Sequence, residues 1–266
     1  VQNQPSLLVL TFGVFDPVGA LGVQADVAAM AAHGCHALSV VTGNLIADSA
    51  RVEDLLEIDP DTVSDQARTL LEDMPVAAFK VGALASIEQA ATIAEIVSDY
   101  TDVPLILDPF TSSLPDSGLL DDEMVSAIRQ ILVPQATLLM LSQVELARMA
   151  ETWREGPEDV AGDVTELIAS GCEFVLLTGT GTGGKRSNTL YDGDGPIASF
   201  EWQHLPGTFL GAGTTLSAAL TALMARKTEA CEALRLAQEY TTATLQHAQR
   251  LGMGKLVPNR FCPAAS

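Results

Sequence analysis

Basic residues are scarce in this 266-residue chain: 14 Lys and Arg stand against 34 Asp and Glu, a formal charge of −20. Such a surface repels a phosphate backbone and offers no basic stripe to offset the repulsion, so nucleic acid is not expected as a partner. Its plain use is solubility, and an anionic ligand must be gripped locally by backbone N–H groups, a metal or single cations. Cysteine is sparse too. Cys35, Cys172, Cys231 and Cys262 lie far apart and form no C-x-x-C pair, which excludes the usual zinc and redox patterns and suits reduced thiols in the cytoplasm. Aromatics are only 5% against 47% hydrophobic residues, so the core is expected to be built from Ala, Val, Leu and Ile. No apolar run approaches the roughly 20 residues that a membrane helix needs. The opening VQNQPSLLVLTFGVF lacks a basic segment ahead of its apolar run, so no signal peptide is expected.

What the sequence has is alternation. Short apolar runs at 7–12, 37–41, 77–81, 105–107, 138–141 and 174–177 read as buried strands. Between them, helical patterns fall at 23–32, 62–72, 87–98, 122–132, 144–150 and 160–170. This is the text of βαβ units with a mainly parallel sheet, which needs helices on both faces. After residue 177 the chain turns Gly- and Thr-rich, and two strand-like runs at 188–191 and 197–203 flank Asp192-Gly193-Asp194-Gly195, a hairpin signal. Helices are expected at 214–225 and 231–249. No linker or repeat divides the chain, so residues 1–266 read as a single α/β domain.

Two glycine-punctuated loops each follow a strand and open a helix. The later one, Gly211-Ala212-Gly213-Thr214-Thr215, allows a tight turn whose first helical N–H groups stay unpaired at the positive end of the helix dipole. That suits charge on a phosphoryl group in transfer, although an ordinary helix start with a Thr N-cap has the same text. The earlier loop runs from Asp16 through Gly19 and Gly22 to Gln24 and Asp26. Its polar residues can face a ligand from the start of a helix; equally, Asp16 can cap a turn and Asp26 can lie on a solvated face.

The pattern D-P-x-G-x-x-G-x-Q-A-D at residues 16–26 resembles the signature D-P-S-G-G-A-G-I-Q-A-D of the hydroxymethylpyrimidine/phosphomethylpyrimidine kinases. Gly211-Ala212-Gly213-Thr214-Thr215-Leu216-Ser217 is similar to their G-T-G-C-T-L-S. Val40-Val41-Thr42, Lys80-Val81-Gly82, Leu107-Asp108-Pro109, Glu145 and the closing Asn259-Arg260-Phe261 extend the resemblance along most of the chain. It implies a ribokinase-like three-layer α/β/α fold with a mainly parallel central sheet and a site at the C-terminal strand ends. The activity implied is transfer of the ATP γ-phosphoryl group to the hydroxymethyl of a small pyrimidine, and then to its monophosphate, with Mg2+ bridging the phosphates. Carried over by position, Gly211, Ala212, Gly213 and Thr214 are catalytic, and Asp16, Gly19, Gln24, Asp26, Asp48, Lys80 and Ala83 bind substrate. Thr178, Gly179 and Thr215 bind nucleotide, Asp108 and Glu145 organise the metal, and a homodimer is the family expectation.

The sequence departs from the family at telling places. Thr214 replaces a Cys or Asp and has no proton-accepting state near neutral pH, although a loose transition state needs little base help. Ala47-Asp48-Ser49 stands where the family has Q-N-T, Ala83 replaces a Met, Ser142 an Asn, and Thr178 the Lys of V-K-G-G. These changes keep two alternatives in view: a pyridoxal or pyridoxine kinase, and a weakened relative that binds a pyrimidine, vitamin or nucleotide without turnover. His33, His36, His204 and His247 show no ligand spacing, and Trp153 and Trp202 read as packing or loop residues.

Overall fold

The computed structural model describes residues 6–109, 122–181 and 184–261; Cys262 lies outside them. The strands are β1 (Leu7–Phe15), β2 (Cys35–Ala47), β3 (Val52–Glu57), β4 (Ala78–Val81), β5 (Leu105–Leu107), β6 (Leu138–Ser142), β7 (Phe174–Thr180), β8 (Lys185–Asp192) and β9 (Gly195–Gln203). They form one nine-stranded sheet in the order β3-β2-β1-β4-β5-β6-β7-β8-β9. From β2 to β7 neighbours are parallel, whereas β3 on one edge and β8 and β9 on the other are antiparallel.

The helices are α1 (Gly22–Ala32), α2 (Pro60–Asp73), α3 (Ile87–Ser98), α4 (Asp122–Ala127), α5 (Gln143–Ala150), α6 (Val160–Ala169), α7 (Ala212–Ala225) and α8 (Ala230–Gln246). Their starts follow from local chemistry. Asp59 accepts from the N–H groups of Asp61 and Thr62 with Pro60 at the first helical position, and Ser86, Asp159 and Glu229 cap α3, α6 and α8 in the same manner.

Alternate residues of the central strands bury against opposite layers, because side chains on a strand point up and down in turn. Leu139 and Leu141 pack with Ile93, Val125 and Leu167 on the α2 to α6 side, while Leu138 and Met140 pack with Leu216, Leu220 and Leu234 on the other. Helix α1 joins that second layer through Ala29 and Met30 against Val9 and Ala78. The aliphatic core expected from composition is what fills both layers.

Several boundaries differ from expectation, each for a local reason. Strand β2 runs on past residue 41 because β3 folds back and pairs with it; β3 is acidic and buries only Val52 and Leu55. Residues 128–132 leave the α-helix for a π turn, and a 3-10 turn containing Pro134 follows. Helix α8 stops at Gln246 rather than 249, since Gln249 exchanges backbone hydrogen bonds with Val257 as the chain doubles back. No helix among the described residues is long and apolar enough to cross a membrane.

Candidate active site

The first glycine loop leaves the end of β1, at the C-terminal edge of the sheet. Asp16 is buried and its carboxylate accepts from the N–H groups of Val18, Ala20 and Leu21, folding the loop around itself. Gln24 clamps the same turn, its amide accepting from Asp16 N and donating to Asp16 O. Asp16 and Gln24 therefore build the loop, with these groups already committed to protein partners. At Gly22 (φ +59°) an added Cβ would stand 1.9 Å from Val14 O, so only glycine lets α1 start this close to β1.

The second loop meets the first. Gly211 has φ +88°, and a Cβ there would lie 1.9 Å from Ala20 O. Arg260 fastens the two together: Nη1 donates to Gly19 O (3.1 Å), Nη2 to Ala20 O (2.5 Å) and Gly211 O (3.2 Å), and Nε to Thr215 Oγ1 (2.9 Å). Its side chain is buried, which pushes its pKa down to about 10, against the opposing pull of Asp26, Tyr240 and Asp16, so it still carries charge near neutral pH. Sequence reasoning missed this role. The one signal was a lone Arg in the closing motif of a chain poor in basic residues.

Helix α7 opens from that junction with no side-chain cap, and among the described residues the N–H groups of Ala212, Gly213 and Thr214 take no acceptor. This open terminus is shared by two cavities. One is a narrow cleft lined by Gly13, Val14, Gly22, Asp26, Lys80, Gly82, Ala83, Asp108 and Thr214. The other, roomier, is lined by Thr178, Gly179, Ala212, Gly213, Leu216 and residues of β8, β9 and α8. A wider groove among α1, α7 and α8 holds none of the expected catalytic or binding residues.

In the smaller cleft, Asp26 and Lys80 form a buried ion pair. Lys80 Nζ lies 3.1 Å from Asp26 Oδ1 and donates to Oδ2 at 3.2 Å, while Thr11 Oγ1 donates to Oδ2 at 2.6 Å. Asp26 Oδ1 has no aligned hydrogen-bond donor. Asp108 accepts from Ser217 Oγ (2.6 Å), and burial pushes its carboxyl up to about 6; Lys80 and the Ser217 bond oppose that rise, whereas Glu145 and Asp26 add to it.

Other expected site residues lie elsewhere. Thr215 does not reach the larger cavity: its hydroxyl is internal, donating to Gly211 O and accepting from Arg260. Asp48 lies on the exposed β2–β3 turn, accepting from Ala50 and Arg51 N–H groups that lower its pKa. Glu145 completes a capping box with Ser142, its Oε2 accepting from Ser142 N at 2.6 Å. That is the local reason why Ser suits position 142. Trp202, read from the sequence as a packing or loop residue, lines the larger cavity, whereas Trp153 lies on the far layer beneath Arg129.

The sequence profile of the phosphomethylpyrimidine kinases matches residues 16–259. A hydroxymethylpyrimidine/phosphomethylpyrimidine kinase of Mycobacterium tuberculosis is 32% identical over 253 residues, covering 92% of this chain and 90% of that one. Its counterpart in Streptomyces coelicolor is 30% identical over 251 residues, with 93% and 91% covered. Among solved structures, an ADP complex of Bacillus subtilis pyridoxal kinase superposes with a TM-score of 0.83 at 25% identity, covering 96% and 98% of the two chains. A phosphomethylpyrimidine kinase of Clostridium difficile gives 0.75 at 25%, with 90% and 99% covered. The converging glycine loops, the open helix start between two cavities and these likenesses place the chain in the phosphomethylpyrimidine kinase family, with its ribokinase-like fold.

Proposed function

We propose that this chain transfers the γ-phosphoryl group of ATP to the hydroxymethyl oxygen of a hydroxymethylpyrimidine, and to the phosphate of the resulting monophosphate. The observation that carries this is the open start of α7 standing between a polar cleft that holds Asp26, Lys80 and Asp108 and a second cavity bordered by Thr178 and Gly179. The acceptor oxygen forms its bond to phosphorus as the bridging bond to ADP breaks, and the hydroxyl proton passes to solvent. The N–H groups of Ala212, Gly213 and Thr214 lie where charge builds on the phosphoryl oxygens. Asp26 Oδ1, lacking an aligned donor, suits an N–H of the heterocycle, and Lys80 fixes that carboxylate. Thr178 and Gly179 border the donor cavity.

Magnesium belongs to the same proposal. The described residues contain no cluster of three or more metal-ligating side chains. Asp108 and Glu145 each accept one hydrogen bond through one oxygen and keep the other without a described donor. Mg2+ is held by one or two carboxylates together with substrate phosphates and water, so this donor set fits it only with nucleotide present. A homodimer and a cytoplasmic location complete the proposal, the former checked by sedimentation of the purified protein.

The test is phosphate transfer from ATP to 4-amino-5-hydroxymethyl-2-methylpyrimidine, with pyridoxal as a second acceptor. Turnover is expected on the pyrimidine; clear ligand binding with no turnover on either acceptor would establish a binding protein instead. Thr214→Cys is expected to raise turnover, because Thr214 lines the cleft at the mouth of α7; an unchanged rate would remove Thr214 from the chemical centre.

A further inference from the structure

Helix α7 buries the hydroxyl side chains of Thr215, Ser217 and Thr221. Two of them follow the ordinary habit of a hydroxyl inside a helix and donate to the carbonyl four residues back, Thr215 to Gly211 O and Thr221 to Ser217 O, both at 2.7 Å. Ser217 differs. Its Oγ lies 3.2 Å from Thr214 O but only 2.6 Å from Asp108 Oδ2, in the residue that follows β5. A hydroxyl carries one proton, and 2.6 Å is the length of a bond from a hydroxyl to a carboxylate, so the proton goes to Asp108. Its buried neighbours along the helix include Ala218 and Ala219, so packing alone asks for no hydroxyl at position 217. Asp108 and Thr214 both line the acceptor cleft, and Ser217 touches the two of them from one helical turn behind. The main chain of Asp108 is fixed by its N–H donating to Val81 O, which leaves the rotation of the carboxylate for Ser217 to set.

We propose that Ser217 is a positioning residue for the transfer: by holding Oδ2 it leaves Asp108 Oδ1 for the cleft and keeps that oxygen in register with the open N–H groups at the start of α7. Without this bond the carboxylate is free to turn about its two side-chain torsions, and the start of α7 loses its tie to Asp108. This rests on the kinase proposal above, in which Asp108 helps to hold Mg2+ on the nucleotide phosphates. A hydrogen-bond partner one step behind a metal-holding carboxylate typically changes metal affinity or activity by about 10–100-fold when it is removed.

Calorimetry on the full chain separates positioning from packing with two probes, ADP with Mn2+ and ADP with a chelator. Ser217→Ala is expected to weaken binding of ADP with Mn2+ about tenfold and to leave ADP under chelator unchanged. The Mg2+ concentration that half-saturates transfer is expected to rise by the same factor. Ser217→Thr keeps the hydroxyl and should restore most of both. Thr221→Ala removes a buried hydroxyl one turn further along α7 that makes no bond to Asp108; it is expected to lower the melting temperature without a metal-dependent change. If Ser217→Ala binds both probes as the wild type does, or if both probes weaken equally, Ser217 is a packing residue and the proposal fails while the kinase proposal stands. A metal-dependent loss of the same size in Thr221→Ala overturns it as well. If the wild type binds ADP no better with Mn2+ than without, the metal reading falls and takes this inference with it; if it binds ADP under neither condition, the kinase proposal falls too.

Discussion

Removing the Arg260 guanidinium should be costly for both stability and turnover. The group makes four hydrogen bonds, to the carbonyls of Gly19, Ala20 and Gly211 and to the Thr215 hydroxyl. Bonds to a charged donor are worth about 1.5–3 kcal/mol each, so a simple sum reaches ~6–12 kcal/mol. That is too large, because truncation also removes the penalty of burying a charge, and the freed carbonyls can take up water. Breaking a buried charged network by removing one partner typically costs ~3–5 kcal/mol, and we expect Arg260→Ala to lie in that range. A domain with roughly 5–15 kcal/mol of stability survives this, so the variant is measurable by urea unfolding. Arg260→Lys supplies a compact ammonium in place of a planar fork, cannot span all four acceptors, and should lose about half as much. Because the clasp sets where α7 starts relative to the first loop, kcat should fall roughly 10- to 100-fold in Arg260→Ala, the scale of an ångström of misplacement. Added guanidinium ion at low concentration should restore part of it. Loss of less than ~1 kcal/mol with unchanged kcat would show that the loops hold their positions without Arg260.

Other perturbations follow from the same geometry. Gly211→Ala places a Cβ against Ala20 O at a positive φ; we expect at least ~2 kcal/mol of destabilisation and loss of transfer activity, seen by thermal melting and assay. Lys80→Met leaves Asp26 buried without its cation, for an expected ~3–5 kcal/mol in urea unfolding; pairing it with Asp26→Leu should recover most stability and no activity. His33 packs edge-on against Tyr240, and burial lowers its pKa from the ordinary 6.5, with Arg226 adding to the fall and the bond to Ala29 O opposing it. A depressed imidazole contributes stability above pH 6.5 and loses it as pH falls through the folded-state value. The melting temperature of His33→Gln should therefore depend less on pH between 6.5 and 5 than that of the wild type; parallel curves would contradict this.

The central sheet was legible because strands buried on both faces read as bare apolar runs: 105–107 was placed to the residue, and 138–141 and 174–177 fell short only at their C-terminal ends. Strand β3 was not. Its text, VEDLLE, carries acidic residues of poor strand propensity, and only pairing with β2 holds it extended. The site divides in the same way. Asp26, Lys80, Ala83, Asp108 and Thr214 share one cleft, as residues at strand ends and helix starts should. Gln24 and Asp16 belonged to the same motif but spend their hydrogen bonds on the loop itself, and no spacing rule separates a residue that shapes a loop from one that faces its ligand. Arg260 acts through partners far away in the chain, where local patterns carry no information.

The bond from Arg260 to Ala20 joins positions 240 residues apart. Strands β1, β2 and β4 can pair, and α1 can dock, as soon as the first third of the polypeptide has left the ribosome. The nascent protein should thus acquire most of its sheet while the first loop still lacks its latch. Contacts that close so long a stretch of chain form late. The two loops are then latched only once position 260 has been made, so truncation short of it should yield a folded yet slack species rather than an unfolded one.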